Sequence, residues 1–249
     1  MAKLLEICVD SLASARAAIA GGADRIELCS ALAVGGLTPY ELLLRQIREE
    51  SDIPVRCLMR PRGGDFLYEK EELDMLRRQI LQLKSAGADG FVIGCLTAEG
   101  ELDEQAMKPL IDACQGKGIT LHRCVDVSRN PVQTYQKAGE MGIDTVLTSG
   151  GAASCLGGMD RIGQMLALRD SVRGPEVLIG AGVKAGVIRK FRESCPAASA
   201  FHMSGKCEIE SGMRFRREGV PMGLPGLDEW HIQQTDPAAV RAARQALDE

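Results

Sequence analysis

This 249-residue chain has few aromatic residues, no surplus of basic residues and no closely spaced pair of cysteines. Only 4% of the residues are aromatic, so the core has to be built from aliphatic side chains, and 45% of the chain is hydrophobic. The net charge is −4 and the basic residues form no stripe, which argues against nucleic acid and anionic membrane surfaces as partners. No run approaches the roughly 18 apolar residues of a membrane span.

The chain has nine cysteines, and no two of them have C-x-x-C spacing. The signature of zinc-ribbon and thioredoxin-like sites is therefore absent. Glu6 and Asp10 interrupt the N-terminal stretch where a signal peptide needs a continuous apolar run. We therefore expect a cytoplasmic protein in which most cysteines are reduced and behave as small buried hydrophobic residues.

Short apolar runs alternate with longer amphipathic stretches along the whole chain. The predicted strands are 4–9, 25–30, 53–60, 90–96, 119–125, 144–150, 176–182 and 199–205. Eight strand–helix alternations predict an α/β fold, a TIM (β/α)8 barrel, over residues 1–205. Residues 206–249 are predicted to form a C-terminal extension that packs on the barrel or makes an oligomer contact. The alternative is a doubly wound open sheet, which normally uses fewer strands, and no GxGxxG follows the first strand here.

Alternation along each strand sends successive side chains to opposite faces, and the outer face must be aliphatic where it lies under helices. The inner face then receives polar residues from five strands: Glu6 and Cys8; Glu27 and Cys29; Arg56 and Arg60; His122, Cys124 and Asp126; His202 and Ser204. Most lie toward the carboxyl ends of their strands, where barrel active sites form. Glu6 and Glu27 either pair with Arg56 and Arg60 in a structural ion network or take part in chemistry.

Two loops have the composition of anion sites. Arg60, Arg62, Gly63, Gly64 and Asp65 belong to the sequence RPRGGDF after the third strand. The glycines either make a simple turn or expose backbone N–H groups that hold an anion beside the arginines. Gly180 and Gly182, together with His202 and Ser204, have the glycine-rich form of a barrel phosphate site.

The motifs GADRIELCS, GGLTP, RPRGGDF, LHR..D, VLTSG and SGMRFR occur here in the order in which they occur in the CutC family, which is named for copper homeostasis. The chain resembles that family from its N-terminus to about Gly223. The resemblance implies a TIM barrel, a cytoplasmic location, a homodimer or larger homo-oligomer, and Cu(I) bound by Cys8 and Cys29. It leaves the role of Cys124 open.

Two functions remain as hypotheses. The first is copper homeostasis through Cu(I) bound by the inward-facing cysteines, which supply the soft ligands that Cu(I) favours. The alternative is an isomerase or lyase that acts on a small anionic, and in some cases phosphorylated, metabolite. Glu27 is then the first choice of base, His122 its acid or electrostatic partner, and Glu6 and Asp126 are further candidates for proton exchange. No organic cofactor is indicated under either hypothesis.

Overall fold

Eight parallel strands close into a barrel in the order of the sequence, which confirms the predicted fold. The structure is a computed structural model that describes residues 3–172, 174–217, 219–220, 222–223 and 228–249. The strands are β1 (Leu4–Val9), β2 (Arg25–Leu28), β3 (Val55–Leu58), β4 (Gly90–Ile93), β5 (Gly118–Leu121), β6 (Thr145–Thr148), β7 (Glu176–Ile179) and β8 (Ala200–Met203). β1 pairs with both β2 and β8, which closes the sheet.

Helices cover the outside of this barrel. Within the described residues they are α1 (Leu12–Gly21), α2 (Glu41–Glu50), α3 (Lys70–Ser85), α4 (Glu104–Cys114), α5 (Cys124–Val127), α6 (Pro131–Glu140), α7 (Met159–Val172), α8 (Ala185–Ser194) and α9 (Pro237–Asp248), with a 3-10 turn at Leu32–Val34. Side-chain caps begin several of them: Asp103 accepts a hydrogen bond from an α4 backbone N–H, and Asn130 does the same for α6. Among the helices that the structure describes, none combines the length and apolarity of a membrane span.

The C-terminal segment has two parts. β9 (Lys206–Glu210) and β10 (His231–Thr235) form an antiparallel ribbon at the carboxyl-terminal end of the barrel. α9 then packs against α1 and α8, with Val240 and Leu247 fully buried, and so takes the place of the eighth barrel helix. The division at residue 205 stays a prediction, and parts of the Gly/Pro-rich stretch between the ribbon strands lie outside the described residues.

The side chains of the strands separate into an aliphatic outer layer and a mixed inner layer. Ile7, Ile26 and Val55 pack with the helices in the large core, as expected for the outer face. The inner face holds a small apolar cluster that includes Cys8 and Cys29, together with the buried polar residues described below. Most strands end earlier than predicted, β3 at Leu58 and β5 at Leu121, so several polar residues lie in loops instead.

Glycines on β4 and β5 make room for an arginine inside the amino-terminal end of the barrel. Arg56 donates to Thr120 Oγ1 at 2.6 Å and pairs with Asp144 at 2.8 Å. A Cβ at Gly90 would lie 2.9 Å from the Arg56 Cγ and 2.6 Å from the Gly118 carbonyl oxygen. Because one of these neighbours is backbone, the contact cannot be relieved by rotating a side chain.

We therefore expect Gly90→Ala to lower the free energy of unfolding by about 1–3 kcal/mol, the usual cost of overpacking a core. Urea denaturation of the purified variant measures the change. Gly163→Ala is the matched control, because a Cβ on that α7 residue meets nothing within 4 Å. Its stability should be unchanged or slightly raised. A Gly90→Ala variant as stable as the parent would show that the barrel interior is not tightly packed there.

Candidate functional site

A cavity of about 830 Å³ opens at the carboxyl-terminal end of the barrel. Its walls are residues of β1, β2, β3, β6 and β8, the loops that follow β2, β3, β5 and β7, and one face of the β9–β10 ribbon. The βα loops of a TIM barrel open at this end, and active sites of the fold lie there. The volume is in the range of small-molecule sites, so this cavity is the candidate functional site.

Cys8, Glu27 and His202 meet on the floor of the cavity. The β1–β2 register places Cys8 beside Glu27, and β8 lies on the other side of β1. Their ligand atoms all lie within 4.8 Å of one another, and His202 Nε2 is 3.7 Å from Glu27 Oε2. A thiol, a carboxyl group and an imidazole therefore converge on one point. The three residues are called the thiol cluster below.

Glu6 lies directly beneath the thiol cluster and is fully buried. It accepts a hydrogen bond from Arg25 Nε at 2.5 Å, and its second oxygen is 2.8 Å from His202 Nδ1. Burial alone would raise the pKa of Glu6, but Arg25 and His202 outweigh burial and hold the pKa well below its usual range. The prediction that Glu6 pairs with Arg56 or Arg60 is wrong, since Arg25 takes that place.

Glu27 and His202 have pKa values that both lie above their usual ranges. Burial raises the pKa of Glu27, although the His202 charge offsets part of that effect. Burial alone would lower the pKa of His202, but Cys8, Glu27 and Glu6 around the ring raise it well above its usual value. Both groups therefore keep their protons to a higher pH than an ordinary carboxyl group or imidazole does. A catalytic role for Glu27 or Glu6 stays a prediction.

Cys29 lies just beyond the end of β2, behind the thiol cluster. It is fully buried, and its thiol donates to Glu27 Oε2 at 3.5 Å. Burial and the Glu27 carboxylate raise the pKa of this thiol well above its usual value. Cys8 therefore faces the cavity, whereas Cys29 does not line it and packs in a small apolar cluster with Cys8. That Cys29 ligates a metal stays a prediction.

His122 and Arg60 form the opposite wall of the cavity. The His122 Nδ1 accepts a hydrogen bond from the Cys124 backbone N–H at 3.2 Å, which assigns the ring proton to Nε2. Phe66 packs on both side chains, 4.8 Å from the His122 ring and 5.2 Å from the Arg60 guanidinium carbon. Burial, with a contribution from Arg60, lowers the pKa of His122 to about 3, so the ring is neutral. Gly94 provides the space, because a Cβ there would lie 2.5 Å from the ring.

The prediction that Asp126 points inward from the fifth strand is wrong. β5 ends at Leu121, and Asp126 lies in α5, where strand alternation no longer applies. Its carboxylate accepts hydrogen bonds from Thr148 Oγ1, from the backbone N–H groups of Ser149 and Gly151, and from Arg123. Asp126 therefore orders the loop after β6 and does not line the cavity. Cys124 is buried in the outer core for the same reason.

Only one of the two arginines of RPRGGDF reaches the cavity. Arg62 pairs with Asp65 at 3.0 Å and with Glu72 at 2.8 Å, on the outside of the loop. The Gly64 carbonyl accepts a hydrogen bond from Arg60, and neither Gly63 nor Gly64 lines the cavity. The predicted cradle of two arginines and two glycines around one anion is therefore wrong. Asp65 is an exposed loop residue, with its side chain 70% exposed.

The glycine-rich ends of β7 and β8 reach the cavity in part. Gly182 and Ser204 line it, and Gly182 has a φ of 80° that favours glycine. Ala181 before it also has a positive φ, 73°, so this loop holds a strained turn at the cavity wall. Gly180 has a packing role, because a Cβ there would lie 2.7 Å from Leu147. A phosphate site at this turn stays a prediction.

Three residues that shape the site were not predicted from the sequence. Arg25 donates a hydrogen bond to Glu6, and Phe66 packs against the His122 ring. Arg123, the residue after His122, lines the cavity. Strand alternation could have found Arg25, because it precedes Glu27 by two residues on the same strand face. Phe66 and Arg123 lie in loops, for which alternation gives no orientation.

The neutral, buried state of His122 predicts a pH dependence of stability. In the unfolded chain a histidine has the ordinary pKa of 6.5, and in the fold the pKa of His122 is about 3. As the pH falls below 6.5 the unfolded state takes up a proton that the folded state does not, so stability decreases with falling pH. Between pH 7 and pH 5 this loss amounts to about 2 kcal/mol.

His122→Asn tests that dependence, because Asn cannot titrate and its side-chain oxygen can still accept from the Cys124 N–H. Urea denaturation at several pH values gives the free energy of unfolding. Its decrease from pH 7 to pH 5 should be about 2 kcal/mol smaller in the variant than in the parent. His231→Asn is the control, because that ring is exposed on the ribbon. An unchanged slope in His122→Asn would contradict the assignment.

Comparisons with known proteins agree on one family. The model of the CutC family matches residues 3–207. A relative from Chromobacterium violaceum, described as a family protein CutC, is 40% identical over 249 residues, which cover 100% of this chain and 99% of the relative. The human relative, named Copper homeostasis protein cutC homolog, is 37% identical over 96% of this chain and 86% of its own length.

Solved structures agree with these matches. A crystal structure of a CutC protein from Streptococcus agalactiae has a TM-score of 0.75 and 25% identity, and covers 81% of this chain and 98% of its own. The 3-hexulose-6-phosphate synthase from Salmonella typhimurium has a TM-score of 0.57 and 14% identity, with 98% of both chains covered, and shares the fold alone. The family resemblance read from the motifs is thereby confirmed: the chain belongs to the CutC family.

Proposed function

We propose that the chain takes part in copper homeostasis by binding Cu(I) at the thiol cluster. The observation that carries the proposal is the convergence of Cys8, Glu27 and His202 within 4.8 Å at the floor of the cavity. Relatives in the family are named for copper homeostasis, and the proposal extends that name to this chain.

The donor set fits a soft, monovalent metal ion. Cu(I) favours thiolate ligands, and imidazole is a common ligand of copper in proteins. Cys8 and His202 supply these two groups, and Glu27 is within reach of both. In this proposal Cys8 and His202 are the principal ligands, and Glu27 is a third ligand or a counter-charge.

Glu6 supports the role of His202. Metal-bound histidines usually place their second ring nitrogen against a carboxylate, which fixes the ring orientation. Here the His202 Nδ1 lies 2.8 Å from Glu6 Oε1, so the Nε2 atom faces Glu27 and the cavity. Cu(I) displaces the proton that the high pKa of His202 retains, so binding should weaken as the pH falls.

Cys29 has a secondary place in the proposal. Its thiol lies behind Glu27 and its pKa is raised, so forming the thiolate there costs more than for an ordinary cysteine. It is also outside the group of three side chains whose ligand atoms meet at the floor of the cavity. A cytoplasmic location and a homodimer or larger assembly remain predictions that come from the sequence and the resemblance.

Anaerobic competition with a chromogenic Cu(I) chelator tests the proposal on the full chain. We expect one equivalent of Cu(I) to bind, and Cys8→Ser to weaken binding by roughly a hundredfold or more, since loss of a mere outer-shell partner already costs ten- to hundredfold. His202→Gln should have a comparable effect. Cys29→Ser should weaken binding less than Cys8→Ser does.

Cys195→Ser is the matched control, because Cys195 is a partly buried cysteine at the end of α8 that does not line the cavity. It should bind Cu(I) as the parent does, and circular dichroism should show that all variants fold. The proposal is wrong if Cys8→Ser retains the parent affinity, or if Cys195→Ser loses as much affinity as Cys8→Ser.

A further inference from the structure

Two buried hydrogen-bond donors on the wall opposite the thiol cluster have no partner among the described residues. They are the Nε of Arg60 and the Nε2 of His122. Arg60 is 8% exposed and His122 is 4% exposed, and both side chains line the cavity. A buried donor without a partner costs free energy, and such groups in a cavity wall commonly meet a ligand.

Arg60 also lacks an opposite charge. Its remaining guanidinium nitrogens donate to the backbone carbonyls of Val34, Gly36 and Gly64, at 2.9 to 3.1 Å. In the part of the chain that the structure describes, no carboxylate lies within 4 Å of it. Neutral carbonyls orient the group but leave its full positive charge at the cavity wall. An isolated buried charge is costly unless a counter-ion completes it.

His122 is held as a neutral donor beside this charge. The Cys124 N–H occupies Nδ1, so the proton is on Nε2, the atom without a partner. Phe66 packs on both Arg60 and His122 and limits their motion. A neutral histidine fixed next to an arginine donates a hydrogen bond to an anion without adding a second charge.

We propose that the cavity binds a small organic anion, with a carboxylate or phosphate group held by Arg60 Nε–H and His122 Nε2–H. Its remaining atoms lie in the rest of the cavity. Arg123 and Lys206 also line the cavity, but Asp126 pairs with Arg123, and Asp10 and Glu208 line the cavity as well, so Arg60 is the cation on which the proposal rests. The volume, about 830 Å³, suits a metabolite and excludes a folded partner.

This site is separate from the proposed copper site and does not depend on it. The donors are a guanidinium and a neutral imidazole N–H, which cannot ligate a metal cation. A thiol cluster that fails to bind Cu(I) would leave the anion site unaffected. Conversely, a failure of anion binding would leave the copper proposal standing.

The chain contains only three histidines, so ¹⁵N-histidine NMR of the full-length protein without copper is a direct test. We expect the His122 ring as the neutral tautomer that carries its proton on Nε2. Titration with inorganic phosphate and, separately, with malonate should shift the His122 resonances in a saturable manner. The exposed His231 ring serves as an internal reference for non-specific effects of added salt.

Two variants measured by calorimetry complete the test. His122→Asn keeps an acceptor for the Cys124 N–H and removes the Nε2 donor, so it should weaken binding of the active probe roughly tenfold or more. Arg62→Gln is the matched control from the same loop, because Arg62 pairs outside the cavity. It should bind as the parent does.

The outcomes separate cleanly. Saturable binding of phosphate alone, of malonate alone or of both supports the site and identifies the head group it prefers. The proposal is overturned if neither probe shifts His122 beyond His231, if the ring proton is on Nδ1, or if His122→Asn binds the probe as tightly as Arg62→Gln.

Discussion

A buried ion pair, between Glu6 and Arg25 at 2.5 Å, is the interaction around which the candidate site is arranged. The carboxylate of Glu6 also touches His202, so the position of the histidine ring follows from the position of the pair. A buried ion pair contributes little to net stability, because desolvation offsets much of the attraction, but removing one partner is costly. The pair therefore fixes the geometry of the site rather than stabilising the barrel. Cys8 and Glu27 then meet His202 because neighbouring strands hold them in register.

The cavity combines two kinds of chemistry on opposite walls. One wall carries the thiol, the imidazole and the carboxyl group of Glu27, which suit a metal cation or the exchange of a proton. The other wall carries a guanidinium without a counter-charge and a neutral N–H donor, which suit an anion. Copper binding, which the name of the family suggests, would use the residues of the first wall and leaves the second wall without a role.

The sequence predicted the barrel and the floor of the site because both depend on periodicity. Alternation placed Cys8, Glu27 and His202 on the inner face, and the closed sheet of eight strands brought them together. The same rule was wrong for Asp126, because β5 ends five residues earlier and a helical turn follows. The different environments of Arg60 and Arg62 could not be predicted either. They depend on where α3 places Glu72 and where the loop after β2 places its carbonyl groups, and these are tertiary features.

X-ray absorption spectroscopy of the Cu(I)-loaded protein tests the central claim most directly, because it identifies the atoms bound to the ion. The arrangement of the thiol cluster predicts one sulfur ligand, from Cys8, together with nitrogen or oxygen ligands from His202 and Glu27. A spectrum with two or more sulfur ligands and no nitrogen ligand would contradict the account. It would mean that Cys29 replaces His202 and that the contact between Glu6 and His202 serves another purpose.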